Sequence, residues 1–166
     1  SDVYKRQEYD DAAVYELATI LADQEEYQKA NLYFKQLDTL SPDFEGYEYG
    51  YALSLHAEHR TAEALTLAQQ GLAKNPFETR LLLLASQLSY ELHDEKAAEN
   101  YLLQAQEDAD DLEEIALRLT TLYLEQERYE DILEFAEQEV DNALTRWNLA
   151  RAYKACLLYT SPSPRD

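Results

Sequence analysis

The chain has 166 residues, 34 of them Asp or Glu against 14 Lys or Arg, for a net charge of -20. A polyanion of that size repels nucleic acid and anionic lipid, because affinity for phosphate grows with the number of phosphates that basic side chains neutralise. No apolar run approaches the ~20 residues needed to span a bilayer, so neither a nucleic-acid nor a membrane partner is expected. Acidity with few aromatics would read as disorder, but 14 tyrosines and regularly placed Leu and Ala describe a packed chain long enough for one domain.

The two ends back-translate to a single DNA element. The codons GAT GTG TAT AAG AGA CAG encode Asp2 to Gln7, and their reverse complement, read from its second base, encodes Cys156-Leu157-Leu158-Tyr159-Thr160-Ser161. The element resembles the mosaic end of a transposase-based library adapter, with Ser1 and Pro162-Ser163-Pro164-Arg165-Asp166 as its translated flanks. On that basis residues 1–7 and 156–166 are adapter-derived extensions, and the native segment is 8–155, with a net charge of -21. The one cysteine, Cys156, then lies outside the native segment, so no disulfide framework or thiol nucleophile is argued. The absence of Met fits a piece cut from the interior of a longer reading frame, with both true termini outside it.

Taken in order, the chain repeats at an interval of 34 residues. In the first unit, 11–44, Leu17, Ala18 and Leu21 mark one amphipathic helix and Tyr27, Ala30 and Phe34 a second, with Asp23-Gln24-Glu25-Glu26 as the turn and Pro42 at the exit. The second, 45–78, carries Tyr51, Ala52 and Leu55, then Ala64, Ala68, Gly71 and Pro76. The third, 79–112, carries Ala85, Ser86, Ala98, Leu102 and Ala105, with Asp110 in place of the exit proline. The fourth, 113–142, carries Leu119, Thr120, Tyr123, Tyr129, Ile132 and Ala136, and Glu125-Gln126-Glu127-Arg128-Tyr129 echoes Asp23-Gln24-Glu25-Glu26-Tyr27. The spacing then shortens by four, and Trp147, Asn148, Leu149, Ala150 and Tyr153 form the first helix of a partial fifth unit, 143–155.

A 34-residue period of two amphipathic helices, here called A and B, resembles the tetratricopeptide repeat (TPR). Ala18 stands where that family commonly has Gly, and a small side chain suffices for the two helices to approach closely. The resemblance implies an all-α, TPR-like α-solenoid: a right-handed superhelix of antiparallel helix pairs, about nine helices and no strands. Each repeat buries its core only against its neighbours, so self-association through the uncapped C-terminal repeat is expected.

Three histidines invite a metal or catalytic role, and His56 and His59 sit one helical turn apart. His59 and His93, however, are one repeat apart and share a position at the end of an A helix, where a His favours the negative end of the helix dipole. Zinc would need three or four converging ligands. The acidic run Glu107, Asp108, Asp110, Asp111, Glu113 and Glu114 fails the calcium-loop template, with Glu113 where Gly is required and Leu119 where the bidentate Glu belongs. It reads instead as a turn in which Asp111 caps the next helix and Glu114 completes a capping box. Gly46, Gly50 and Gly71 form no phosphate-cradling loop, and no Ser, His and Asp set has a nucleophile context. No metal, cofactor or enzymatic activity is expected.

What the resemblance implies about function is a scaffold that holds a peptide or helix of a partner protein in a concave groove lined by A helices. Carried over residue by residue, the groove positions hold four acids and three bases, so nearly all the charge lies elsewhere. The peptide-binding residues expected are Tyr15, Tyr49, Leu53, His56, Arg80, Leu83, Gln87, Tyr90, Leu117, Thr121, Trp147 and Arg151. With Leu83 at the centre, such a lining suits an apolar or aromatic ligand segment, because interface energy concentrates in such anchors. The carboxylate clamp that one subclass uses on chaperone C-termini is missing: Tyr15 and Thr19 replace its first Lys and Asn, and Arg80 alone survives. The alternative is a regulatory or targeting portion of a larger enzyme or transcription regulator. The likeness is to bacterial-type, cytoplasmic multi-repeat proteins.

Overall fold

The computed structural model describes residues 2–108, 112–138 and 142–160. Within them lie α1 (Asp2–Asp23), α2 (Tyr27–Leu40), α3 (Tyr47–Ala57), α4 (Thr61–Lys74), α5 (Thr79–Glu91), α6 (Glu95–Asp108), α7 (Glu113–Glu125), α8 (Tyr129–Leu133), a 3-10 turn (Glu134–Glu137) and α9 (Ala143–Thr160). The described residues contain no strand. Each helix packs on the next, while α1 also touches α3 and α7 touches α9, so the core is built serially along the chain. Two adjoining clusters result, one around Phe34, Leu55 and Leu88 and one around Leu82, Leu119 and Ile132, with Leu72 and Tyr101 packed against both.

The same position is small or hydroxylated in the A helix of each of the four complete pairs: Ala18, Ala52, Ser86 and Thr120 are all buried. Opposite them on the B helices lie Ala30, Ala64, Ala98 and Ile132, also buried. Where a hydroxyl intrudes, it is satisfied: the Ser86 Oγ donates to the Ala98 carbonyl at 2.9 Å, across the seam. A buried hydroxyl without such a partner would cost about 1–3 kcal/mol.

Every A helix of the four complete pairs ends the same way. Glu25, His59, His93 and Glu127 have φ of 61°, 61°, 63° and 57°, and they are one repeat apart. In the first, the Glu26 N–H donates to Leu21 O at 2.9 Å and the Glu25 N–H to Ala22 O at 3.0 Å. The same two bonds recur at Arg60 and His59, at Asp94 and His93, and at Arg128 and Glu127. This is the Schellman arrangement, in which a left-handed residue satisfies the last carbonyls and turns the chain back. His59 and His93 are exposed and serve as turn residues beyond the helix ends.

The fourth pair departs from expectation. Its B helix is one short α-helix that tightens into the 3-10 turn, and Ala136, expected at the seam, is exposed while Phe135 is buried. The reason is helical pitch. With 3.6 residues per turn the residue four after the seam position is buried, as Phe34, Ala68 and Leu102 are, whereas three residues per turn brings up the third residue after Ile132. For α7 the N-cap position is Leu112, without a side-chain capping bond; the expected cap Asp111 lies outside the described residues, as do Asp110, Ser161 and the stretch 162–166. Helix α1 begins at Asp2 and α9 runs on to Thr160, so both are continuous through parts of the expected extensions.

Three buried tyrosines set an alkaline limit, and burial raises the Tyr51 phenol along with the other two. Burial, and then the hydrogen bond its hydroxyl donates to Asp38 at 2.8 Å, raise the Tyr47 phenol well above its ordinary range. Burial and the nearby Glu99 push Tyr123 up to about 12. Groups whose folded pKa is raised contribute stability below the unfolded value of 10.0 and lose it as pH rises toward the folded value. Spectrophotometric titration is therefore expected to show most of the 14 tyrosines ionising reversibly, and the last three, Tyr47, Tyr51 and Tyr123, only together with loss of helical circular dichroism. Ionisation of every tyrosine with the helices intact would refute this.

Candidate functional site

The A helices carry a ladder of contacts between successive repeats. A ring nitrogen of His56 on α3 lies 2.7 Å from Glu91 Oε2 on α5. The Tyr90 hydroxyl on α5 donates to Glu125 Oε2 on α7 at 2.7 Å, and that carboxylate raises the phenol's pKa. On α7, Arg118 donates from Nη1 to the Leu83 carbonyl at 3.2 Å and from Nη2 to Glu114 at 2.5 Å. From α9, the Asn148 amide donates to the Thr120 and Thr121 hydroxyls at 3.1 and 3.2 Å. Each acidic side chain named in the ladder is engaged by a donor from its own or an adjacent repeat.

Between α5 and α7 the face sinks into a depression of about 400 Å³. Its walls are Gln87, Tyr90, Leu117 and Thr121, and its floor is Ser86, Ala98 and Leu102. A second depression of about 400 Å³ lies between α7 and α9 and is lined by Leu117, Thr121, Leu124, Leu144, Trp147 and Arg151. Both include Leu117, Thr121 and Glu125, so they form one trough across α5, α7 and α9. The exposed indole of Trp147 lies under the Arg151 guanidinium at 4.7 Å, a contact that stiffens both side chains at the trough's edge.

Of the twelve residues expected from the sequence, six line this trough: Gln87, Tyr90, Leu117, Thr121, Trp147 and Arg151. Tyr49 and Arg80 meet separately, the guanidinium 5.0 Å from the ring centroid and 2.9 Å from Glu78 Oε1. They border a different hollow of about 590 Å³ toward α4. Tyr15 is half-buried against Phe34 and Phe44, at ring distances of 6.4 and 5.5 Å. Leu53 is exposed, and His56 is held by Glu91. Leu83, expected at the centre, is half-buried against the second core cluster and outside the trough's lining. It sits one helical turn before Gln87, and Arg118 crosses over its carbonyl.

Sequence reasoning missed the floor and the crossing arginine. Ala98 and Leu102 read as seam residues, which they are, being almost fully buried; they also become floor because the A helices on either side stand apart above them. The i,i+4 pair Glu114 and Arg118 is visible in the sequence. The reach of Arg118 back to Leu83, 35 residues earlier, is not. Among the described residues, no group of three or more His, Cys, Asp or Glu is arranged to hold a metal ion, and no helix is long and apolar enough to cross a membrane.

Antiparallel helix pairs stacked at a 34-residue interval, with their first helices side by side along one face, define a tetratricopeptide-type α-solenoid. Solved structures share this architecture. The thermophilic TPR protein TTC0263 of Thermus thermophilus is 24% identical and matches over 90% of this chain and 84% of its own, with a TM-score of 0.62. A point mutant of MamA is 11% identical and matches over 90% of both chains, with a TM-score of 0.68. No protein-family model and no curated protein matches the sequence.

Proposed function

We propose that this chain is a non-catalytic scaffold that holds an apolar or aromatic peptide or helix of a partner protein in the trough across α5, α7 and α9. The observation that carries this reading is the α5–α7 depression. Its volume suits one or two large side chains, its floor sets Ala98 and Leu102 beside the Ser86 hydroxyl, which is taken up by the Ala98 carbonyl, and its rim carries Gln87, Thr121 and the Tyr90–Glu125 pair to orient a ligand backbone. Recognition of this kind needs a preformed pocket for an anchor side chain and a few placed polar groups. The solenoid fold supports the coarser part, a protein-interaction role, since stacked helix pairs create an extended face on which a partner can lie. Residues 8–155 are the segment to which we assign the role.

The test is a displayed random-peptide selection against the chain, followed by affinity measurement on the enriched peptides. Enrichment of peptides carrying an aromatic or large aliphatic anchor is expected. The paired substitutions Tyr90→Ser and Leu117→Ser should weaken them at least about thirtyfold, the loss of one hot-spot contact. Leu53→Ser, exposed and outside the trough, should leave affinity unchanged. Equal binding by all three proteins, with helical content retained, would place the ligand on another face.

A further inference from the structure

The depression between α5 and α7 has a charged end. Glu91 and Glu125 are the last residues of those two helices, both are exposed, and Glu125 lines the depression itself. Glu95 opens α6 beside them and, after Glu125, raises the Tyr90 phenol. Glu125 accepts from the Tyr90 hydroxyl at 2.7 Å, Glu95 from the Gln126 amide at 2.8 Å and Glu91 from the Gln87 amide at 3.1 Å, with the His56 ring on its other oxygen. Among the described residues, no lysine or arginine pairs with any of the three. The arginines nearby are committed elsewhere: Arg118 to Glu114 and the Leu83 carbonyl, and Arg128 to Glu99 and Asp131.

A hydrogen bond from a neutral donor spreads a carboxylate's charge without cancelling it, so this rim stays negative. Within 90–96 and 125–127 the sequence sets Lys96 against five acids, Glu91, Asp94, Glu95, Glu125 and Glu127. The C-terminal ends of α5 and α7 add the negative ends of two helix dipoles to the same rim. Among the described residues no group of acids is arranged to hold a metal ion, so the counter-charge that fits is an ammonium or guanidinium carried by a ligand chain. Arg118 and Glu125 both line the depression, seven residues and about 10 Å apart along α7. A side chain anchored over Ala98 and Leu102 therefore leaves a neighbour on the same ligand within reach of the acidic rim.

Resting on the peptide-binding role assigned to the trough, we infer that its partner is a basic segment, in which an apolar or aromatic anchor fills the α5–α7 depression and a Lys or Arg within about four residues of it meets the rim of Glu91, Glu95 and Glu125. The net charge of -20 draws such a segment toward the chain, and the rim fixes which way it lies in the trough. An acidic segment with the same anchor meets like charge at the rim and is rejected.

Two synthetic peptide arrays probed with the whole chain test the inference. Both fix a central Phe or Leu; the flanking positions draw on Lys, Arg, Gln and Ser in one array and on Asp, Glu, Gln and Ser in the other. Binders are expected from the first, and the tightest of them, measured in solution, should weaken as salt is raised. Glu91→Gln, Glu95→Gln and Glu125→Gln combined keep an acceptor for each donor and should weaken that peptide at least about tenfold, since one exposed charge pair contributes up to about fivefold. Glu16→Gln, Glu107→Gln and Glu130→Gln combined, exposed and outside the trough, remove the same total charge and should leave its affinity unchanged. Equal loss in the two triple variants would assign the preference to overall charge and overturn the inference, as would equal binding from the two arrays. In either case Tyr90→Ser with Leu117→Ser decides the trough separately: if that pair abolishes binding, the peptide-binding role stands without the basic preference. Binding untouched by the pair, or no binder from either array, would overturn both. Should the rim variant lose helical circular dichroism, Glu125→Gln alone is read, with a loss of about threefold expected and no loss overturning the inference.

Discussion

Replacing Glu25, His59, His93 and Glu127 by glycine together is expected to raise the melting temperature by roughly 10 °C. All four are exposed and hold φ near 60°, where an L side chain crowds the following carbonyl at a cost of about 1–2 kcal/mol. Glycine removes that cost but adds freedom to the unfolded chain, leaving a net gain of about 0.5–1 kcal/mol per site. The sites lie on separate turns one repeat apart, so their effects should add to about 2–4 kcal/mol, which at about 3 °C per kcal/mol for a chain of this size gives the stated shift. The two glutamates should gain more than the two histidines, because a carboxylate beside the last carbonyls opposes the helix dipole and an imidazole adds no negative charge there. Thermal melts of the single and quadruple variants measure both the size and the ranking. A lower melting temperature for Glu127→Gly would show that its side chain contributes more than the backbone strain it carries.

Those four positions also show why part of the fold was hidden in the sequence. The helix pairs and their interval were legible because Ala30, Ala64 and Ala98, with Leu17, Tyr51, Ala85 and Leu119, keep apolar or small character at one spacing, and burial at that spacing is what makes the helices form. The left-handed turn was not legible because its usual signal is glycine, and here a backbone bond pattern persists through Glu and His, residue types that read as ordinary surface. In the fourth pair Ile132 and Ala136 kept helical spacing in the sequence, yet the 3-10 turn put Phe135 inside; residues 134–137 do not show in their identities which pitch they take. For the trough, A-helix positions pointed to Tyr90, Leu117 and Trp147, since face follows from periodicity. Which faces gape and which close depends on side chains that cross between repeats. Arg118 over Leu83 and Arg80 over Tyr49 are contacts across 35 and 31 positions that no local pattern announces.

Removal of the Lys74 ammonium by Lys74→Met is expected to cost about 3 kcal/mol, the lower end of the range for stranding a buried charge because Lys74 itself reaches solvent. The reason lies in Glu48, a carboxylate only 3% exposed in the second repeat. Its stem lies where α4 comes close: a Cβ built on Gly71 would stand 3.1 Å from Glu48 Cβ and 2.6 Å from a Leu81 methyl, so glycine there lets three helices meet and seals the carboxylate in. The ammonium of Lys74, from the last turn of α4, pairs with Glu48 Oε1, donates to the Pro42 carbonyl, and lies 5.1 Å from the centre of the Tyr47 ring. Without it the carboxylate keeps its desolvation cost and loses its counter-charge. The converse change is different in kind, because Glu48→Leu removes the buried charge itself and leaves Lys74 able to turn outward to water. Glu48→Leu should therefore cost under about 1 kcal/mol, and the double variant should match it rather than add the loss from Lys74→Met. Urea unfolding of the three proteins gives the cycle directly, and a double variant as unstable as the sum of the singles would show that Lys74 acts through Pro42 and Tyr47 rather than through the buried charge.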